Sequence, residues 1–246
     1  GLEFLEQIHH FVAHNINEEI LWPFSMPPAV ESEQDVPIAD YGISNLGLFK
    51  QLYRNGLSHR YGRTMQAISG LHFNYSLPDS IWRSSFFEDD KFDSRVIRSK
   101  GYFRMLRNIF RMNWLVLYLF GASPILTKDL LTKASEPFQK LDNQTYYLPY
   151  ATSLRMSDFG YQNSLRVTLN VSSDSLNDYI SDLNMATNTI SEGFQNIGNQ
   201  RNTNQLQINA NILQIDDEYY AVARPKSKII SNQRLTSKLK KGGVDY

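Results

Sequence analysis

The sequence predicts an α+β fold with a largely antiparallel sheet. Segments with helical periodicity and segments with two-residue alternation both occur along the 246 residues. They do not follow each other in the regular βαβ order that makes a parallel sheet. No internal repeat or low-complexity tract divides the chain. A chain of this length has enough residues for the core of one large domain or of two smaller ones.

Helices are predicted at both ends of the first sixty residues. The opening segment is expected to be a helix with one buried face, because its apolar residues recur at helical spacing. These residues are Leu5, Ile8, Val12 and Ile16. Ser44 or Asn45 is expected to cap a second helix, which ends near the glycines at 56 and 62.

From residue 65 to residue 77 the apolar period changes to two, which predicts a strand with one buried and one polar face. The apolar face carries Leu71, Phe73, Tyr75 and Leu77, and the other face includes His72, Asn74 and Ser76. Imidazole, amide and hydroxyl groups in one row suit a cleft that holds a metal ion and phosphates. A strand with one face in water explains the same alternation without any function.

The second half of the chain is predicted to hold two helices and a hairpin. The longest helical signal covers 94–120, and Gly121 and Pro124 end it. A further helix carries apolar residues at helical spacing, namely Leu176, Ile180, Leu183 and Ile190. Residues 198–204 are expected to form a polar loop. Two strands, 206–215 and 218–224, are expected to meet at a turn at Asp216 and Asp217. The last five residues are expected to form a turn that enters a strand.

The composition excludes several classes of function. The chain has no cysteine, so disulfides, thiolate metal sites and a cysteine nucleophile are ruled out. This fits a cytoplasmic protein in a reducing compartment, and no signal peptide is visible. The longest apolar stretch, 114–120, is far below the ~20 residues of a membrane helix. With 25 basic and 25 acidic side chains, no net charge favours nucleic acid or a membrane as a partner.

Three groups of polar residues admit a functional and a structural interpretation. Tyrosines lie near Arg155 and again near Arg224 and Lys226, and guanidinium groups with phenols can enclose an amino acid. The alternative is packing at the rim of a sheet. A basic stripe on the long helix consists of Lys100, Arg104, Arg107 and Arg111. It could bind nucleic acid, but a solvated helix face is favoured. His10 and His14, four residues apart, are likewise expected on a solvated face rather than on a metal.

Eight segments, in order along the chain, resemble the proteobacterial type of glutamate–cysteine ligase. They are LWPFSMP (21–27), YGISN (41–45), LYRNG (52–56), ISGLHFNYS (68–76), YLFGASP (118–124), YYLPYATSLR (146–155), LQIN (206–209) and YAVARPK (220–226). The resemblance implies a fold similar to glutamine synthetase, with a curved, largely antiparallel sheet and helices on its outer side. It implies ATP-dependent joining of the glutamate γ-carboxylate to the cysteine amine through a γ-glutamyl phosphate, the first step of glutathione biosynthesis.

The resemblance also implies a set of site residues. His72 would bind Mg²⁺, or Mn²⁺ in its place, and Asn74 and Ser76 would lie on the nucleotide side. The cysteine pocket would contain Tyr53, Arg54, Arg155, Tyr161 and Tyr220, with Arg155 as the catalytic residue. Arg224 and Lys226 would meet the phosphates of ATP. Phosphoryl transfer requires positive charge on the migrating group, so cations suit this role.

The family has further metal-binding carboxylates on both sides of the matching segments. Residues 1–246 are therefore expected to be the central part of a single catalytic domain, truncated at both ends and inactive in isolation. One alternative is a related γ-glutamyl ligase with another amine substrate. The other is a non-catalytic module that binds nucleic acid through the basic stripe, which steep salt dependence of binding would support. The sequence does not predict an oligomeric state.

Overall fold

Helices and two small antiparallel sheets make up the regular structure, which confirms the α+β prediction. The computed structural model describes residues 1–86, 93–131, 138–157, 169–197, 200–201, 207–227, 235–242 and 244. The α-helices are α1 (Leu2–Asn15), α2 (Asn45–Tyr61), α3 (Thr64–Ala67), α4 (Asp79–Phe86), α5 (Ser94–Phe120), α6 (Lys128–Leu131), α7 (Leu176–Asn188) and α8 (Leu235–Gly242). Short 3₁₀ turns cover Glu33–Asp35, Leu154–Met156, Glu192–Ile197 and Asp216–Glu218.

The strands are short and antiparallel. They are β1 (Ile125–Thr127), β2 (Gln139–Lys140), β3 (Thr145–Tyr147), β4 (Gln200–Arg201) and β5 (Gln207–Ile208). One sheet has the order β1-β3-β2, with Leu126 opposite Tyr146, and the other pairs β4 with β5. Both sheets agree with the predicted antiparallel pairing.

Caps fix the ends of the predicted helices. The Ser44 hydroxyl accepts a hydrogen bond from the backbone N–H of Gly47, as predicted for the start of α2. Helix α2 continues through Gly56 and ends at Gly62, whose φ of +82° favours a glycine. Helix α5 spans Ser94–Phe120 as predicted, and the Asp93 carboxylate accepts from the N–H of Arg95 at its start.

Two clusters form the core of the described residues. The larger one joins α4, α5, α7 and α8 through Trp82, Phe103, Tyr179, Leu183 and Leu239. The smaller one contains Met26, Ile68, Leu126, Leu130 and Leu154. The smaller cluster includes Ile68 and also Leu154, the neighbour of Arg155, so it anchors two of the segments that carry predicted site residues.

The predicted strand over 65–77 is wrong. Residues 64–67 form α3, and 68–78 has no regular structure. Leu71 and Phe73, expected to be buried, are 87% and 89% exposed. Alternation marks two faces, but a strand also requires a neighbouring strand for its backbone hydrogen bonds. None of the described segments pairs with 68–77.

The predicted hairpin after residue 206 is also wrong. Strand β5 ends at Ile208, and the two aspartates begin a 3₁₀ turn, Asp216–Glu218. Residues 210–212 pair with the chain around Ile190 through an isolated antiparallel bridge, Ile190–Asn211, and not with 218–224. The side chain of Arg60 binds the carbonyls of Asn209, Asn211 and Ile212.

Four smaller expectations also differ from the structure. Helix α1 has no buried residue, so the predicted buried face is absent. Ile190 lies beyond the end of α7 and is 65% exposed. Gly242 ends α8 rather than opening a turn, and most of the residues after it lie outside the described part of the chain. Of the expected polar loop over 198–204, only Gln200 and Arg201 are described, and they form β4.

No described helix has the length and apolar character that crossing a membrane requires.

Candidate functional site

The candidate site is centred on the guanidinium of Arg155. The 3₁₀ turn Leu154–Met156 fixes this residue, because Leu154 is fully buried in the smaller core cluster. Arg155 is 8% exposed, and its Nη1 donates to the carbonyl of Ile68. Its Nη2 lies 3.0 Å from His72 Nε2, and its Nε donates to the Tyr220 hydroxyl over 3.1 Å. One planar cation therefore joins three separate segments of the chain.

Gly70 allows the chain to pass close to this guanidinium. A Cβ atom at Gly70 would lie 2.6 Å from Arg155 Nε and 2.7 Å from Arg155 Cδ. A larger residue would displace Arg155 or the segment between Ile68 and His72. The glycine is thus a component of the site that sequence analysis did not single out. A glycine within an alternating segment is the signal that could have found it.

His72 faces the cluster as a hydrogen-bond acceptor. Arginine has only donors, so Nε2 of His72 accepts from Arg155 and the neutral ring carries its proton on Nδ1. The His72 ring also lies edge-on to Tyr220, with 6.4 Å between centroids. Partial burial lowers the pKa of His72 below its usual 6.5, and the charges of Arg155, Arg224 and Lys226 lower it further. The imidazole is accordingly neutral at pH 7.

Arg224 and Lys226 are held together by Asp217. Nη1 of Arg224 donates to the carbonyls of Asp217 and Tyr219, at 2.6 and 2.7 Å. The Asp217 carboxylate lies 3.3 Å from Arg224 Nη1 and 2.6 Å from Lys226 Nζ. Burial, followed by the charge of Arg224, lowers the pKa of Lys226. Asp217 was predicted only as a turn residue, and its proximity to an Arg-Pro-Lys sequence is the signal that could have indicated an ion pair.

The structure brings together part of the predicted site. His72, Arg155 and Tyr220 are in direct contact, and Arg224 and Lys226 act electrostatically on His72. Asn74 and Ser76 lie further along the exposed segment, outside the contacts that join this cluster. Tyr53 and Arg54 are half-buried in α2, where the carbonyl of Arg54 accepts from Gln66 Nε2. Tyr161 lies outside the described residues.

The described residues do not make a magnesium site by themselves. They contain no group of three or more His, Cys, Asp or Glu side chains placed to hold a metal ion. Magnesium favours near-octahedral oxygen coordination, which a single imidazole does not supply. In addition, the His72 Nε2 lone pair is taken by Arg155.

The two other polar groups noted in the sequence have local partners. His14 binds the carbonyl of His10 at 2.7 Å, and His10 lies 3.8 Å from Glu6, all on the exposed surface of α1. In the basic stripe, Arg107 Nη1 donates to the carbonyls of Ser173 and Asp174. That arginine therefore connects α5 to the segment before α7. The solvated face expected for the rest of the stripe stays a prediction, with nucleic-acid binding as its alternative.

The solved structures to which the chain is similar include two enzymes. The bifunctional glutathione synthetase from Pasteurella multocida has a TM-score of 0.62 and 23% identity, with 97% of this chain and 26% of that chain covered. Identity this low indicates a shared fold only. The glutamate–cysteine ligase from Francisella tularensis, crystallised in complex with AMP, has a TM-score of 0.77 and 38% identity. That match covers 90% of this chain and 43% of the Francisella enzyme, so the chain spans less than half of that relative.

The family of the chain follows from a match over its whole length. The model of the glutamate–cysteine ligase family matches residues 1–246. The chain belongs to the glutamate–cysteine ligase family.

Proposed function

We propose that this chain is the central part of an ATP-dependent glutamate–cysteine ligase. The contact of buried Arg155 with His72 and Tyr220 carries the proposal, because it gathers a carboxylate-binding cation, a neutral imidazole and a phenol in one place. Family membership supports the same conclusion. The AMP in the Francisella relative supports a nucleotide as one ligand.

The reaction proceeds in two steps. The glutamate γ-carboxylate attacks the γ-phosphorus of ATP, forming γ-glutamyl phosphate and releasing ADP. The amine of cysteine then attacks the activated carbonyl carbon. Phosphate departs with the electrons of the broken C–O bond, the amine loses a proton, and γ-glutamylcysteine remains. This sequence requires no side-chain nucleophile, which is consistent with a chain without cysteine.

Each site residue has a role in this proposal. Arg155 binds a carboxylate with its planar donors, and the Tyr220 hydroxyl beside Nε orients the same amino acid. Tyr53, Arg54 and Tyr161 complete the cysteine pocket. Asn74 and Ser76 bind oxygens of the nucleotide, while Arg224 and Lys226 place positive charge against its phosphates.

A bound Mg²⁺ ion, or Mn²⁺, would neutralise charge on the phosphates. His72 is the ligand that the resemblance implies, and the described residues contain no group of three or more His, Cys, Asp or Glu side chains that could hold the metal. Asp217 now pairs with both Arg224 and Lys226, so phosphate oxygens would compete with its carboxylate. The proposed nucleotide contact therefore includes a rearrangement of Asp217.

ADP release by the purified full-length protein tests the function. The assay contains ATP, Mg²⁺ and glutamate, with cysteine, serine, alanine or no amine as the acceptor. We expect release that depends on both glutamate and cysteine, with serine and alanine well below cysteine. A clear preference for another amine would establish the related γ-glutamyl ligase instead. No acceptor-dependent release would overturn the proposal.

A further inference from the structure

The segment that carries Tyr220, Arg224 and Lys226 has almost no regular structure of its own. Between the end of β5 at Ile208 and residue 227 there are one 3₁₀ turn, Asp216–Glu218, and an isolated bridge of Asn211 to Ile190. Irregular backbone holds a side chain in a defined place only when other groups fix it. Backbone contacts with 186–191 hold residues 210–213, Thr236 of α8 holds Asp216, and the last turn of α2 supplies the contacts that reach Glu218.

Arg60 binds the first part of the segment. Its Nη1 donates to the carbonyl of Asn211 at 2.8 Å and to that of Ile212 at 3.2 Å. Its Nη2 donates to the carbonyl of Asn209 at 2.8 Å and to the Asn209 side-chain oxygen at 3.2 Å. The guanidinium also lies 4.5 Å from the centroid of the Phe194 ring. All of its side chain is buried.

Glu218 completes the connection to α2. Its side chain is fully buried, with Oε1 3.9 Å from Arg60 Nη1. Oε1 also accepts from the Tyr61 hydroxyl at 2.9 Å, and Oε2 accepts from the backbone N–H of Gln214 at 2.5 Å. Two consecutive residues of α2 therefore bind one carboxylate, and this carboxylate also closes the loop 214–218.

Glu218 is two residues from Tyr220, and the backbone between them is fixed on both sides. Arg224 Nη1 donates to the carbonyls of Asp217 and Tyr219, which flank Glu218. The next residue, Tyr220, places its hydroxyl 3.1 Å from Arg155 Nε. A change in the position of Glu218 would consequently move the phenol that contacts Arg155.

We propose that Arg60 and Glu218 are positioning residues that set the place of the Tyr220 hydroxyl against Arg155. They act through the 217–220 backbone and do not touch the reacting groups. The expected change in KM rests on the proposed function. The expected change in hydrogen exchange over 217–220 can be measured without activity.

The neighbouring Asp216 provides a matched control. It is a second buried carboxylate in the same 3₁₀ turn, and both residues are 3% exposed. Its Oδ2 accepts from the backbone N–H and the hydroxyl of Thr236, so Asp216 binds α8 whereas Glu218 binds α2. Glu218→Gln and Asp216→Asn each convert a buried carboxylate to an amide. The two variants therefore separate the link to α2 from a general loss of stability.

The test measures apparent KM values for cysteine, ATP and glutamate in the full-length protein, together with backbone hydrogen exchange over 217–220. For Glu218→Gln we expect the cysteine KM to rise about five-fold, a larger change than for ATP, with faster exchange at 217–220. Arg60→Lys keeps the charge but loses the forked donors, so it should act in the same direction. Asp216→Asn should leave the ratio of the KM values near that of the wild type.

A double variant separates positioning from mere stability. If Glu218 acts through Tyr220, adding Tyr220→Phe to Glu218→Gln should raise the cysteine KM by much less than Tyr220→Phe does alone. Equal changes in all three KM values, or the same pattern in Asp216→Asn, would overturn the inference. If Glu218→Gln does not fold, Arg60→Lys provides the same comparison. If the wild type shows no ligase activity, the proposed function fails. The positioning role is then tested by hydrogen exchange alone, and unchanged exchange at 217–220 in Glu218→Gln would reject it.

Discussion

At the scale of single residues, Arg155 connects three segments that are far apart in the sequence. It contacts Ile68, His72 and Tyr220, while it is 8% exposed. A buried guanidinium is stable only when its donors are satisfied. Here the donors are satisfied by a carbonyl, an imidazole and a phenol, and the last two are groups that a substrate could replace or supplement.

The contact between Arg155 and His72 predicts that the pKa of the His72 imidazole lies below its usual 6.5. Folding lowers the pKa of His72 through partial burial first and the charge of Arg155 next. The unfolded chain thus binds this proton more tightly. The contribution of His72 to the free energy of unfolding is complete above about pH 6.5 and is lost as the pH falls towards the folded-state pKa. Imidazole NMR of the metal-free full-length protein should give a midpoint below 6.5 for His72.

Removal of the Arg155 guanidinium should raise the pKa of His72 part of the way back towards its usual value. In Arg155→Met, the His72 midpoint should move upward, whereas Arg111→Met on α5 should leave it in place, because Arg111 is not among the charges that act on His72. An unchanged midpoint in Arg155→Met would contradict the contact.

Tyr220 provides a second prediction at this scale. Its hydroxyl lies 3.1 Å from Arg155 Nε, and Tyr220→Phe removes that group without changing the ring. Loss of one hydrogen bond in a desolvated pocket costs ~0.5–1.5 kcal/mol, so the apparent KM for cysteine should rise several-fold in the full-length protein. The KM values for ATP and glutamate should change less. Similar changes for all three substrates would mean that the tyrosine only packs.

Part of the site could be predicted from sequence because residue type indicates chemistry. Tyrosine near arginine, and histidine in an alternating row, are compatible with amino-acid and metal binding, and the family resemblance implied site roles for His72, Arg155 and Tyr220, which the structure brings into contact. Gly70 and Asp217 were missed, since their importance depends on which distant side chain approaches them. No pattern of neighbouring residues in the sequence indicates that residue 70 contacts residue 155.

At the scale of elements, local signals located the helices better than the strands. Helix α5 follows its prediction because a cap, an apolar period and Gly121 all lie within the segment itself. The hairpin prediction is wrong because residues 210–212 pair with 189–191 instead, and a distant residue, Arg60, binds the carbonyls of 209, 211 and 212. Pairing depends on a partner elsewhere in the chain, and alternation does not identify that partner.

Close packing between α4 and α5 gives a prediction for the helices. A Cβ atom at Gly101 would clash with the indole ring of Trp82, lying 2.6 Å from Cζ3. Trp82 is 3% exposed in the larger core cluster and cannot move into solvent. Gly101→Ala should lower the free energy of unfolding by about 1–3 kcal/mol, even though alanine favours a helix by about 1 kcal/mol.

Denaturant unfolding checks this prediction. The control is Asn108→Ala on the exposed surface of α5, which should change the free energy of unfolding by less than about 0.5 kcal/mol. A stabilised Gly101→Ala would show that α4 and α5 separate readily, and that the packing of Trp82 on Gly101 contributes little.

At the scale of the whole molecule, the described chain exposes large apolar side chains on two helices. Phe11 in α1 is 70% exposed, and Tyr118 and Phe120 at the end of α5 are 71% and 74% exposed. Grouped apolar surface of this kind marks a contact with other chain segments or partners. The Francisella relative contains more chain than the 43% that this match covers, so segments of the full-length protein are candidates to lie on these helices.

The last prediction concerns the 246-residue chain assayed alone. Phosphoryl transfer requires a metal ion and cations that neutralise charge on the migrating group. The described residues offer Arg155, Arg224 and Lys226 but no cluster of metal ligands, and Asp217 already pairs with two of these cations. With ATP, glutamate, cysteine and excess Mg²⁺, we expect no ADP release above background, whereas the full-length protein in the same assay should turn over. Separately expressed flanking segments, added to the chain, should restore part of the activity. Robust cysteine-dependent ADP release from this chain alone would show that the metal site lies within it and that the proposed arrangement of the catalytic centre is wrong.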